Sequence, residues 1–235
     1  MPIYSESFAA AFGLLASSDR DLMEILALSI NVSLASLPLS CVIGLPIGAF
    51  LSMRHFPMRD FLVGVFNARR GLPPVVVGLL VYLRFSRSGP FGWLGLLYTP
   101  EAMVIAQMIL ITPIIIALSC QVLEDLHEDY KDFFDSLVVP KRTALLAYVI
   151  DARYSLMTVI LAGFGRAISE VGAVIIVGGN IDHLTRVMTT AIALETSKGE
   201  LALALALGFI LLAISLAVNF LAQWLKASAR RRAYV

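Results

Sequence analysis

Arg166 and Glu170 stand one helical turn apart inside an otherwise apolar run, with Ser169 between them. An acid and a base spaced i, i+4 share one face of a helix and can pair, or present charge to water or to an ion. At membrane depth a lone ionised side chain costs roughly 3 kcal/mol, so the two should either pair or face water. Two readings stay open. In one, the pair locks its helix against a neighbour. In the other it lines a pathway, with Arg166 offering positive charge to an anion and Glu170 keeping that attraction weak. Gly172, Gly178 and Gly179 lie just beyond, where close approach or bending would be possible, and Asn180 ends the stretch with a polar side chain.

The other candidate is a charged patch, Glu124-Asp125-Leu126-His127-Glu128-Asp129-Tyr130-Lys131-Asp132, held between two long apolar runs. A solvated acidic face would explain Glu124, Asp125, Glu128, Asp129, Asp132 and Asp135. It would not explain Phe133 and Phe134, since aromatics anchor protein interfaces. Asp129, Asp132, Phe133, Phe134 and Leu137 are therefore the predicted docking residues for a soluble partner, on a short helix over Asp129–Val138.

Other chemistry is argued against. His127-Glu128 opens like a zinc-protease HExxH motif, but the fifth position is Lys131. Cys41 and Cys120 sit in apolar runs without metal-ligand spacing, as ordinary buried thiols do. No Gly-rich phosphate loop is present, so ATP hydrolysis is not expected of this chain, and no cofactor is called for. An intramembrane enzyme would need paired catalytic groups at membrane depth. Only Arg166, Glu170, Arg69 and Arg70 are candidates, without a nucleophile–base pair. A net charge of +1 argues against nucleic acid as a partner.

The elements that must position these residues are membrane helices. The 235 residues are 59% hydrophobic and 15% charged, against about half and about a quarter in a soluble domain. Residues 8–16 are apolar but shorter than the ~20 needed to span. They and the Ser17–Asp21 interruption predict an interfacial segment over 1–21. Met1–Ser7 lacks the basic start of a cleavable signal.

A transmembrane domain over 22–225 should then hold five spans, near Leu22–Met53, Phe61–Phe85, Ala102–Val122, Ser155–Val177 and Leu201–Leu225. The first carries Pro38, Pro46 and a small-xxx-small pair, Gly44 and Gly48. The second must kink or unwind at Gly71-Leu72-Pro73-Pro74, and Arg69 and Arg70 just before it mark a helix end or face a polar pathway. Trp93 suits an interfacial loop. A polar loop spans about 124–153, its charged patch followed by a helical segment to about Arg153, and Arg186–Glu195 could form a short surface helix.

Basic residues fix the expected orientation. Arg54, Arg59, Lys131, Lys141, Arg142, Arg153 and the tail with Lys226, Arg230, Arg231 and Arg232 flank one side, against Arg20, Arg84, Arg87, Arg186 and Lys198 on the other. The positive-inside rule puts the 124–153 loop and the 226–235 tail in the cytoplasm and the N-terminus outside.

Together these features resemble the permease subunit of binding-protein-dependent ABC importers. In that family the cytosolic loop carries an EAA…G motif; here Asp132-Phe133-Phe134-Asp135-Ser136-Leu137-Val138 occupies its place, with Val138 where glycine is expected. Gly71–Gly78, Gly165–Ala173 and Gly178-Gly179-Asn180 resemble the oxyanion branch, most of all tungstate permeases, with molybdate and sulfate permeases more distant. Met188–Ile192, Glu195 and Gly199-Glu200 add to the likeness. The resemblance implies an all-α protein with the five-helix type I permease core, in a bacterial or archaeal plasma membrane. It further implies a homodimer, two cytosolic ATP-binding subunits, an external tungstate-binding protein, and a pathway served by Arg166, Ser169, Glu170, Gly178, Gly179 and Asn180.

Overall fold

The computed structural model describes residues 2–17, 19–54 and 56–233. His55 and the side chains of Lys141, Arg142 and the basic tail lie outside the described residues. Ten helices and one 3-10 turn, Gly92–Leu94, make up the described chain, which has no strand among the described residues. In order they are α1 (Pro2–Ala16), α2 (Arg20–Met53), α3 (Arg59–Arg69), α4 (Pro74–Phe85), α5 (Pro100–Ser136), α6 (Lys141–Asp151), α7 (Arg153–Ile168), α8 (Gly172–Gly178), α9 (Met188–Lys198) and α10 (Leu201–Ala233).

Among the described residues, three helices are long and apolar enough to cross a membrane: Arg20–Met53, Pro100–Ser136 and Leu201–Trp224. They match the first, third and fifth expected spans. The second is divided into α3 and α4, because Pro73 and Pro74 cannot donate and their rings exclude a continuing helix. The fourth, expected to run unbroken through Val177, stops at Ile168 and resumes as α8. On its other flank α7 meets α6 at a 66° bend, and that pair would be a fourth span if counted as one.

The chain forms two compact units. In the unit made of 1–36, 73–107 and 165–235, α1 lies on α10, with Ala11 buried against Ala206, Leu207 and Ile210. The Phe8 and Phe209 rings stack there at 4.4 Å. Asp19 accepts the Leu22 N–H at 3.0 Å, which caps α2 as its sequence position suggested. α4 packs on α8, and α9 on α10. The predicted surface helix is α9, but its first turn, Met188 to Ala191, is buried, because it meets the core of α2 and α10.

In the second unit, 37–72 with 108–164, α2 and α5 approach until backbone touches side chain. A Cβ placed on Gly48 would lie 2.0 Å from Ser119 Oγ and 2.9 Å from the Ile116 carbonyl oxygen. Only glycine fits at that distance. The expected polar loop over 124–153 is helical nearly throughout, as foreseen for the segment after the charged patch, and the patch itself is helical too. α5 continues to Ser136 because Leu123, Leu126 and Phe134 recur at helical spacing and pack with Tyr148 and Ala144 of α6. Arg59, its side chain 12% exposed, donates to the Leu51 carbonyl at 2.9 Å and pairs with Glu124. One member of the acidic patch is thereby committed to the fold.

Candidate functional site

The break between α7 and α8 is the more polar of the two predicted sites. Helix α7 ends in a glycine-rich run, and the backbone groups released beyond Ile168 are taken up by side chains from other elements. Gln107 of α5, 4% exposed, donates Nε2 to the Ala167 carbonyl at 3.1 Å. Its own Oε1 accepts from Ser36 of α2 at 2.8 Å. Thr189 of α9 donates to the Glu170 carbonyl at 2.8 Å. Glu170 accepts the Ala173 N–H on Oε1 at 3.0 Å, which places its carboxylate against the first turn of α8. Non-helical backbone at membrane depth is tolerable only when satisfied in this way.

Arg166 and Glu170 are indeed paired, but not along one continuous helix. Arg166 sits in the last turn of α7 and Glu170 in the break. Arg166 Nη1 lies 2.5 Å from Glu170 Oε2, as an ion pair without a directed hydrogen bond. The two ends differ in exposure: the Arg166 side chain is 29% exposed and that of Glu170 2%. Ser169 is exposed and turns its hydroxyl back to the Gly165 carbonyl at 2.8 Å.

Gly178, Gly179 and Asn180 form a tight turn after α8. Thr185 donates to the Gly178 carbonyl at 2.6 Å and accepts the Ile181 N–H at 2.9 Å. Gly179 has φ +72, and a Cβ there would lie 2.7 Å from the Tyr98 ring, so it is required both by conformation and by space. Next to this turn His183 meets Glu24 at 2.8 Å, beside an Asp182–Arg186 pair at 2.6 Å. The Glu24 carboxylate, with Asp182 nearby, raises the pKa of His183 from its ordinary value.

The docking candidates occupy the elbow between α5 and α6. Asp129, Asp132, Phe133 and Leu137 are exposed, Phe133 at 59%. Phe134 differs. Its ring is half-buried, 5.3 Å from the Tyr148 ring and 6.1 Å from that of Tyr130. The 129–138 segment is the end of α5 and a turn, not a separate helix. Val138, in the glycine position of the motif, has φ +53 and is 86% exposed. The backbone there keeps the left-handed conformation that glycine usually supplies. A β-branched residue in it is strained.

Sequence reasoning missed Gln107, Thr189, Tyr148 and the exposed apolar side of α6, Leu146 and Ile150. Gln107 had a usable signal: a long polar side chain in the middle of an apolar span needs a partner. Nothing in the local sequence announced Thr189 as that kind of residue.

Apolar helices of spanning length and a broken span propped by buried polar groups mark a multi-pass membrane protein. Residues 44–231 match the family described as binding-protein-dependent transport system inner membrane component, and the chain belongs to that family. It is thus a plasma-membrane permease subunit that works with ATP-binding and substrate-binding proteins, and not an enzyme. It is 43% identical over 205 residues to a probable anion ABC transporter permease protein of Haloferax volcanii, covering 85% of this chain and 88% of that one. Two tungstate uptake system permease proteins are similar over almost their whole length. That of Peptoclostridium acidaminophilum is 37% identical, covering 93% and 96% of the two chains. That of Campylobacter jejuni is 34% identical, covering 94% and 92%. Sulfate permeases match more weakly, at 23–28% identity.

Proposed function

We propose that this chain is the transmembrane subunit of a tungstate importer. The reading is carried by the likeness to two tungstate uptake permeases at 37% and 34% identity across more than nine-tenths of this chain. The alternatives, molybdate and sulfate, are separated by uptake into proteoliposomes holding the permease with its ATP-binding and binding-protein partners. Tungstate should be accumulated in preference to both; equal or better molybdate or sulfate uptake would reassign the substrate.

Two copies of the chain form the pathway, with the N-terminus outside and the C-terminus in the cytoplasm. Residues 1–21 lie at the membrane surface, 22–225 cross it, and 226–235 form the basic tail. Cysteine labelling from outside should reach positions 88 and 182 but not 127 or 229. The α5–α6 elbow docks on the ATP-binding subunit through Asp129, Asp132, Phe133 and Leu137, with Phe134 supporting them from inside. The exposure of Phe133, Leu137 and Val138, at 59%, 59% and 86%, supports that role.

Arg166 and Ser169 face the pathway, with Gly178, Gly179 and Asn180 at its outer end. Glu170, buried against α8, holds Arg166 and tempers its charge. Arg166→Gln leaves the buried Glu170 carboxylate without its counter-charge and lowers Tm, but the complex that assembles keeps normal ATP hydrolysis and shows reduced anion uptake. Unimpaired uptake would remove Arg166 from the pathway.

A further inference from the structure

In the second unit, where α2 ends, an exposed apolar face runs into an open cleft that carries positive charge. The cleft has a volume of about 590 Å³, inside the roughly 300–1,000 Å³ of small-ligand sites. Its polar lining is Arg54, His127, Lys131, Asp135 and Tyr148, and the rest is apolar, Phe50 and Met53 included. The Arg54 guanidinium stands over the Phe50 ring, 5.2 Å from its centroid, which holds the cation at the border of the apolar surface. His127 is already engaged, its Nδ1 3.2 Å from the Tyr148 hydroxyl. Arg54 and Lys131 form no ion pair among the described residues. Set against the single carboxylate of Asp135, they leave the lining with a surplus of positive charge. His127, Lys131, Phe134 and Asp135 recur at i, i+4, i+7 and i+8 on one face of α5, away from Asp129, Asp132 and Phe133. Val42, Pro46 and Phe50 are exposed at i, i+4 and i+8 of α2, a stripe that reaches the cleft through Phe50.

We propose that this cleft binds an anionic phospholipid with a hydroxylated headgroup, its phosphodiester taken by Arg54 and Lys131 and an acyl chain lying along Val42, Pro46 and Phe50. The charge fits: a phosphodiester carries one negative charge, which two cations and one carboxylate balance. A free phosphate dianion exceeds that surplus and leaves the apolar stripe uncovered. The position fits as well. Arg54 directly follows the last apolar turn of α2, at the level where a membrane's phosphates lie, and basic pockets between spanning helices take such headgroups. Asp135 accepts headgroup hydroxyls and repels a second negative charge. The choline of phosphatidylcholine would bring another cation into a cleft that already has an excess. The site rests on the reading of α2 as a membrane span, and the proposed orientation only decides that the lipid belongs to the cytoplasmic leaflet. Binding itself depends neither on that orientation nor on which anion is carried.

Native mass spectrometry of the full chain, purified in detergent and given equal concentrations of phosphatidylglycerol and phosphatidylcholine, tests the site. Phosphatidylglycerol should be retained about tenfold more, and Arg54→Gln and Lys131→Gln should each weaken its binding by about fivefold. Arg87→Gln, which removes an exposed cation outside the cleft, should leave the preference unchanged. Asp135→Asn removes the opposing charge and should strengthen binding, a gain that misfolding cannot produce. Equal retention of the two lipids, a preference that survives both cation substitutions, or weaker binding by Asp135→Asn overturns the site. Glycerophosphoglycerol, the same headgroup without acyl chains, should fail to displace the lipid at equal concentration. Displacement would mean that the cleft takes a free phosphodiester, and the lipid assignment would fall.

Discussion

The α7–α8 break and the α5–α6 elbow both interrupt helices, and they are finished in opposite ways. At the break, polar groups are buried and tied: Gln107, Thr189 and Glu170 take the places of missing helical hydrogen bonds. At the elbow, apolar groups are left outside. Phe133, Leu137 and Val138 are exposed, and Val138 holds a left-handed backbone without glycine. A buried polar joint is costly to disturb and so keeps one geometry. An exposed apolar turn under strain gains from being covered. The difference separates a part of the molecule made complete by its own residues from a part that, on the proposed docking, another protein completes.

The largest effect should come from breaking the joint. Glu170→Ala removes the acceptor of the Ala173 N–H and leaves Arg166 without its partner, a loss of about 3 kcal/mol, read as a fall in Tm of the purified protein. Glu170→Gln, which keeps an acceptor for the Ala173 N–H, should lose less. Equal Tm for wild type and Glu170→Ala would show that the joint is not a structural lock.

The elbow offers a sharper contrast between adjacent phenylalanines. Phe134→Ala should destabilise the chain by about 2 kcal/mol, since its ring packs on Tyr148 and Tyr130. Phe133→Ala should leave unfolding stability within about 0.5 kcal/mol of wild type and instead weaken binding of the ATP-binding subunit by about 2 kcal/mol. If both substitutions act only on stability, the elbow is not a docking surface.

Val138→Gly should stabilise the isolated permease by about 1 kcal/mol, because glycine adopts φ +53 without strain. Unfolding of the purified chain measures it. A loss of stability would mean that Val138 makes a contact worth more than the strain.

The smallest effect belongs to the His183–Glu24 pair, where both side chains are exposed. Glu24 raises the folded pKa of His183, so the contribution is complete below the ordinary histidine value of about 6.5 and is lost as pH rises through the folded value. The Tm gap between wild type and His183→Gln should therefore be open at about pH 6 and close by about pH 8. A gap that widens with pH contradicts this pairing.

How legible these regions were in the sequence follows from which interactions were local. Pro73-Pro74 predicted the division of the second span, because proline acts on its own helix. Gly44 and Gly48 marked a close helix contact for the same reason of local geometry. Arg166 and Glu170 were recognisable as a pair from spacing alone. The break between them was not, since it depends on Gln107 and Thr189, distant in sequence. The acidic patch read as a loop because its charges outnumber its apolar residues. Leu123, Leu126 and Phe134 nonetheless kept the helical period on the side facing Tyr148. Phe133 and Phe134 could not be told apart until that side was known.

The close contact at Gly48 restricts how this protein can change. Trimming Ser119 would relieve only one of the two overlaps that a side chain at position 48 creates. The other is with the Ile116 carbonyl and the neighbouring Cys120 nitrogen, 2.9 and 3.1 Å from the position of a Cβ. Every residue type carries those atoms, so no compensating substitution on α5 can restore the fit. Position 48 is in that sense fixed by the chain's backbone and not by its neighbours' identity, and a variant at this position can recover only by moving two helices apart.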